Sequence, residues 1–106
     1  MELKKPPLEI IVSTKAEIDL GDIVEHISQH SRSAARKQYQ QILARIDAIA
    51  EHPNRGKPMM ACTENVRYTS ADKYYIYYLV EAEQLRILHI RHSARQNATS
   101  RDLFEE

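Results

Sequence analysis

The run from Tyr74 to His92, YYIYYLVEAEQLRILHIRH, decides the fold. Its first seven residues, Tyr74 to Val80, are aromatic and β-branched, the composition that suits a pleated, half-buried surface. Glu81-Ala82-Glu83-Gln84 is short and polar, as a hairpin loop is, though it lacks the Asn-Gly of the tightest turns. Leu85 to His92 then returns as a second strand. Side chains alternate across a strand, so Tyr74, Ile76 and Tyr78 share one face and Tyr75, Tyr77 and Leu79 the other. On the return strand Leu88, Ile90 and His92 alternate with Ile87, His89 and Arg91, which sends the two histidines to opposite sides and argues against a metal site shared between them.

Working outward, Val66 to Thr69 reads as a shorter strand of the same antiparallel sheet. Before it, EHPNRGKP (51–58) is dense in turn formers and marks a crossover. Upstream the period changes from two to between three and four. Ala35, Tyr39, Ile42, Leu43, Ile46 and Ile49 form the apolar stripe of a helix beginning near Ala34 and ended by Pro53. A tight turn over His30 to Ser33 joins it to an earlier helix with the stripe Ala16, Leu20, Ile23, Val24 and Ile27. Thr14 and Glu17 match a capping box at the start of that helix. Gly21 within it costs about 1 kcal/mol relative to alanine, which the stripe tolerates. Leu8 to Val12, after Pro6 and Pro7, is a first strand. The order β-α-α-β-β-β predicts an α+β fold: a two-layer sandwich with an N-terminal strand, then an antiparallel α-hairpin packed on one face of a small antiparallel β-sheet. The other face is left available for function.

The chain has 106 residues, which predicts a single domain over 1–106. Fifteen basic and 15 acidic residues cancel, so no global field draws the chain to nucleic acid or an anionic membrane; such contact needs charge segregated onto one face. The lone Cys62 excludes an internal disulfide and a multi-cysteine zinc site and suits a reducing cytoplasm. Ile10, Ile11 and Val12 are too short an apolar run for a signal peptide, and no stretch has the length of a membrane span. These features predict a cytoplasmic protein without a cofactor or a resident metal.

His26 and His30 stand four apart, a spacing that lets imidazoles share a metal, but HISQH lacks the acid of a metalloprotease helix, which favours a structural or surface role. The tyrosines at 68, 74, 75, 77 and 78 could supply general bases or stacking platforms for RNA bases, but strand packing is the favoured reading. Arg67, Arg91 and Arg95 are either phosphate ligands or exposed strand arginines with buried stems. Cys62 has no neighbouring histidine to act as its base. With Gly21 and Gly56 the only glycines, there is no glycine-rich phosphate loop.

Taken in order, the opening strand and helical hairpin, AIAEHPNRGKP (48–58), Val66-Arg67, YYIYYLV (74–80) and ILHIRHSARQ (87–96) resemble the RelE/ParE family of plasmid-stabilisation toxins over about residues 8 to 96. The family's RelE-like branch comprises ribosome-dependent mRNA endoribonucleases; its ParE-like branch shares the fold, lacks most of the catalytic set and poisons DNA gyrase. By resemblance, Arg67 stands at the arginine entering the central sheet, His92 at the histidine ending the last strand and Arg95 at the arginine after it, with Ser93 replacing a frequent glycine. The ribonuclease branch places a tyrosine several residues further on, where this chain reads Gln96-Asn97-Ala98-Thr99-Ser100-Arg101. That departure and the zero net charge favour a ParE-like gyrase poison, with the ribonuclease as the alternative and a non-toxic binding module of the same fold as the third reading. Arg67, His92 and Arg95 remain candidates for a residual phosphate site. The resemblance implies a cognate ParD-like antitoxin, no sequence-specific DNA binding by the toxin alone, and allows a homodimer through the hairpin. An antitoxin that folds onto the toxin requires apolar positions on the hairpin beyond those the sheet covers.

Overall fold

A computed structural model describes residues 6–60, 65–95 and 98–104. The elements are β1 (Glu9–Val12), α1 (Thr14–Ser28), α2 (Arg32–Glu51), a 3-10 turn at Pro53–Arg55, β2 (Lys57–Pro58), β3 (Val66–Ala71), β4 (Tyr74–Glu81), β5 (Gln84–His92) and α3 (Ser100–Phe104). They form one five-stranded sheet in the order β1-β5-β4-β3-β2, with the α1/α2 hairpin on one face. β3, β4 and β5 make the expected antiparallel meander. β1 joins β5 in parallel, so the sheet is mixed: the chain leaving β1 passes through both helices and three strands before β5 arrives in the same direction. The two-residue β2, which lies in the turn-rich crossover, pairs at the edge with Tyr68 and Arg67.

The start of α1 is set one residue earlier than the capping box implied. Ser13, not Thr14, is the N-cap, and its hydroxyl accepts the Ala16 amide at 3.0 Å. The reason lies in the sheet. β1 pairs only with Gln84 to Ile87, which leaves the far half of β5 with an open edge. Ser13 closes part of it by donating its Oγ–H to the Leu88 carbonyl at 3.1 Å. Asp19, one turn into α1, closes the next part by accepting the Ile90 amide at 3.1 Å. Ser31 caps α2 in the same manner through the Ala34 amide, and α2 begins at Arg32, two residues before Ala34.

The principal core lies between sheet and hairpin, built from Ile42, Ile46 and Ile49 of α2 against Ile76, Tyr78, Leu85, Ile87 and Ile90. A smaller cluster on the opposite face gathers Val66, Tyr77, Leu88, Ala98 and Leu103. The alternation expected along β5 is therefore broken. A register shift at Tyr77/Tyr78 leaves Leu88 without a partner, a bulge that turns Ile87 to the helical face and Leu88 to the other. The bulge precedes both histidines, so His89 and His92 still face opposite ways: His89 stacks on Tyr77 and His92 meets the Tyr74 ring edge-on. The stripe of α2 is also rotated from its expected line. Gln38 is buried, donating to the Ala71 carbonyl at 3.4 Å, whereas Tyr39 and Leu43 stay 41% and 37% exposed.

Among the described residues no helix is long and apolar enough to cross a membrane.

Candidate functional site

The three residues that the sequence offered as a phosphate site do not converge. Arg67 pairs in register with Tyr78, and His92 with Tyr74, on the two strands flanking β4. Four residues along a strand are about 13 Å, and two strand spacings add about 10 Å across, so their backbones lie roughly 16 Å apart. Arg67 Nη1 donates to the Gly56 carbonyl at 2.7 Å. The same glycine donates its N–H to Tyr78 Oη at 3.0 Å, and Tyr78 Oη–H donates to the Pro53 carbonyl at 2.7 Å. Arg67 is thus one member of a clamp that fastens the 53–56 turn to the sheet. Burial raises the Tyr78 pKa above the ordinary phenol value, against the lowering effects of the Gly56 amide and Arg67, so the hydroxyl stays protonated as donor.

His92 and Arg95 do share one place, the turn that ends β5. Ala94 donates its amide to His92 Nδ1 at 2.9 Å, and Arg95 donates its amide to the His92 carbonyl at 3.1 Å. An imidazole nitrogen that accepts a backbone N–H carries no proton, so the His92 proton sits on Nε2 as a donor. Ser93 donates to the Lys73 carbonyl at 2.8 Å, which ties this turn to the β3–β4 turn. His92 lines a cavity of about 480 Å³ together with His26 and His30, whose rings stand 6.0 Å apart edge to face. Among the described residues no group of three or more histidine, cysteine or acidic side chains is arranged to hold a metal ion.

The second sheet face, which the sequence left open for function, is instead partly roofed by the C-terminal segment. Ala98 and Leu103 pack with Tyr77 and Leu88, and Ala98 reaches Tyr77 Oη with its amide at 3.5 Å. Arg91, the third arginine considered as a phosphate ligand, is buried here, with Nη1 3.7 Å from Asp102 Oδ2. The Thr99 amide, 2.8 Å from the same oxygen, is the main cause that lowers the Asp102 pKa below the ordinary carboxylate range, with Arg91 acting in the same sense. Beside them His89 donates its Nδ1–H to Asp19 Oδ2 at 2.6 Å. This part-buried pair spans 70 positions and has no counterpart in the sequence reading: His89 falls in the closing-strand segment 87–96, but nothing local links it to Asp19. Cys62 and the Gln96-Asn97 step lie outside the described residues.

The outer side of the hairpin carries an apolar groove of about 670 Å³, floored by Leu20, Gly21, Val24, Ala35 and Tyr39. A β-carbon added at Gly21 meets nothing within 4 Å, so the groove is open space above that residue. Val24 and Tyr39 were read as core stripe, and the helices turn them outward to line this groove. The expectation of apolar positions left uncovered by the sheet is met here.

Known proteins place the chain. Residues 10–97 match the family described as ParE toxin of type II toxin-antitoxin system, parDE. The chain is 30% identical over 87 residues to Toxin RelE2 of Caulobacter vibrioides, covering 82% of this chain and 97% of that one. A structure titled as the chromosomal ParDE TA system from P. aeruginosa has a similar fold, with TM-score 0.68 at 20% identity over 80% of this chain and 95% of the other. A chain of the toxin-antitoxin complex RelBE2 from Mycobacterium tuberculosis matches with TM-score 0.58, also at 20% identity, over 84% and 94%. The match across the sheet and both long helices establishes that the chain belongs to the ParE toxin family of type II toxin–antitoxin systems.

Proposed function

We propose that this protein arrests bacterial growth as a ParE-like poison of DNA gyrase, acting by binding rather than by catalysis, and that a ParD-like antitoxin neutralises it. The observation that carries the reading is the dispersal of the candidate phosphate ligands. Arg67 is engaged in a turn clamp on one side of β4, and His92 and Arg95 stand at the end of β5 on the other. A phosphoryl-transfer site needs its donors focused on one oxygen-bearing centre, within hydrogen-bond reach of it. Purified protein should therefore inhibit gyrase supercoiling or trap cleaved DNA. Normal supercoiling at saturating protein would overturn the proposal. Relatedness to a chain named RelE2 supports the alternative, cleavage of mRNA on the ribosome. On that reading, induced cells show ribosome-dependent cuts that Arg67→Ala or Arg95→Ala removes.

The groove on the hairpin supports the antitoxin partner. An amphipathic helix laid along it would bury Leu20, Val24 and Tyr39, the residue types that anchor such contacts. Val24 and Tyr39 belong to neither core cluster. The double variant Val24→Glu/Tyr39→Glu should accordingly keep its thermal midpoint within a few degrees while losing about a hundredfold or more in antitoxin affinity by calorimetry. Unchanged affinity would move the antitoxin to another face.

A further inference from the structure

We infer that the cavity between the α1–α2 turn and the β3–β4 turn binds a phosphate group. The net charge of the chain is zero, yet its charges are not evenly spread around this opening. Lys37 from α2 and Lys73 from the β3–β4 turn line it against the single carboxylate of Asp72, and His26 from α1, His30 from the turn and His92 from the end of β5 add three imidazoles able to donate N–H groups. Five nitrogen-bearing side chains from five segments meet there, a gathering that neither composition nor local motif contains.

The backbone adds to it in the same sense. α2 is a 20-residue helix, and its N-terminal residues Ser31 and Ala34 also line the cavity. A helix N-terminus carries roughly half a positive charge and presents N–H groups without intrahelical acceptors. Acidic side chains in the first turn commonly balance that end; this first turn has none. An anion seated at the mouth of α2 would meet the dipole, the ammonium groups of Lys37 and Lys73, and the Nε2–H of His92, whose tautomer the Ala94 amide sets. The arrangement is tied together through the Ser93 amide on the Lys73 carbonyl and through Gln38, which holds α2 to the last residue of β3. At about 480 Å³ the cavity has room for a phosphate with the sugar attached to it.

Two sources carry this chemistry: the terminal phosphate of a free nucleotide and a backbone phosphate of a nucleic-acid strand. The site is independent of the target proposed above, because the test reads binding and not gyrase activity. Full-length protein at low ionic strength is titrated with inorganic phosphate, thymidine 5′-monophosphate and a short oligothymidylate, while the ring signals of His26, His30 and His92 are followed by NMR. Expected are saturable shifts of these rings with His52 unmoved as an internal reference, and at least about a tenfold weakening in Lys37→Ala/Lys73→Ala, both exposed lysines. Saturable binding of phosphate and the mononucleotide supports a terminal-phosphate site; binding of the oligothymidylate alone supports a backbone-phosphate site. No ring shift with any of the three, or binding of equal strength in the double variant, overturns the inference.

Discussion

Gly56→Ala should destabilise the protein by roughly 3–5 kcal/mol, a large share of the stability of a small domain. The backbone of Gly56 has φ −70°, a conformation open to any residue, so its requirement for glycine is one of space. A β-carbon there would stand 2.2 Å from Tyr78 Oη and 2.8 Å from two ring carbons. The ring has nowhere to go. Tyr78 is 1% exposed in the principal core, and its hydroxyl is held between the Gly56 amide and the Pro53 carbonyl. Relief of the clash therefore breaks both hydrogen bonds or moves the 53–56 turn, and with the turn goes the carbonyl that Arg67 grips. Denaturant unfolding measures the loss as a lower midpoint at unchanged slope. A double-mutant cycle adds a sharper check: Tyr78→Phe removes the nearest clashing atom, so Gly56→Ala should cost less in that background than in the native chain. A Gly56→Ala unfolding free energy within about 0.5 kcal/mol of the parent would contradict the geometry.

Asp19→Ala should cost roughly 2–4 kcal/mol, although Asp19 belongs to none of the motifs that the sequence offers. One carboxylate oxygen serves two donors, His89 Nδ1 and the Ile90 amide. His89 is 4% exposed, and its Nε2 makes no hydrogen bond among the described residues, so the Asp19 contact is the polar tie of a buried ring. Truncation orphans that ring and reopens the β5 edge, two buried donors at once. Asp19→Asn retains one acceptor oxygen at the same reach and should lose less than the alanine variant. Equal losses in the two variants, or no loss in either, would show that the carboxylate is not satisfying these donors. Amide exchange offers a local readout, since Ile90 should lose protection before Ile76 on the neighbouring strand.

Both predictions rest on contacts between positions distant in sequence. Position 56 meets 78, and 19 meets 89. Patterning reports what a residue does within its own element. It identified two amphipathic helices, a hairpin with two dressed faces and the order of the elements, because 3.6- and two-residue periods are written directly into the chain. It placed Tyr74, Ile76 and Tyr78 together on one face, as found. It missed the rotation of α2 because Tyr39 and Gln38 are neighbours on the helix surface, and only the register of the hairpin on the sheet selects the polar one for burial. It placed the α1 cap on Thr14 because Ser13 is chosen by a bond to Leu88, 75 positions away.

The sequence by itself determined the α+β class, the strand and helix order, and the family, since each is carried by local periods and by short segments in a set sequence. Only the tertiary structure decided that β1 runs parallel to β5, that a bulge at Leu88 re-aims the closing strand, and that Arg67 belongs to a clamp rather than to a site with His92. It alone brought Lys37, Lys73 and His92 to the mouth of α2 in a chain whose summed charge is zero. The physical reason is common to all of them. Side-chain period is a property of a single element, whereas register, edge closure and the meeting of charges arise when separate elements pack, and packing selects among arrangements that local pattern leaves equal.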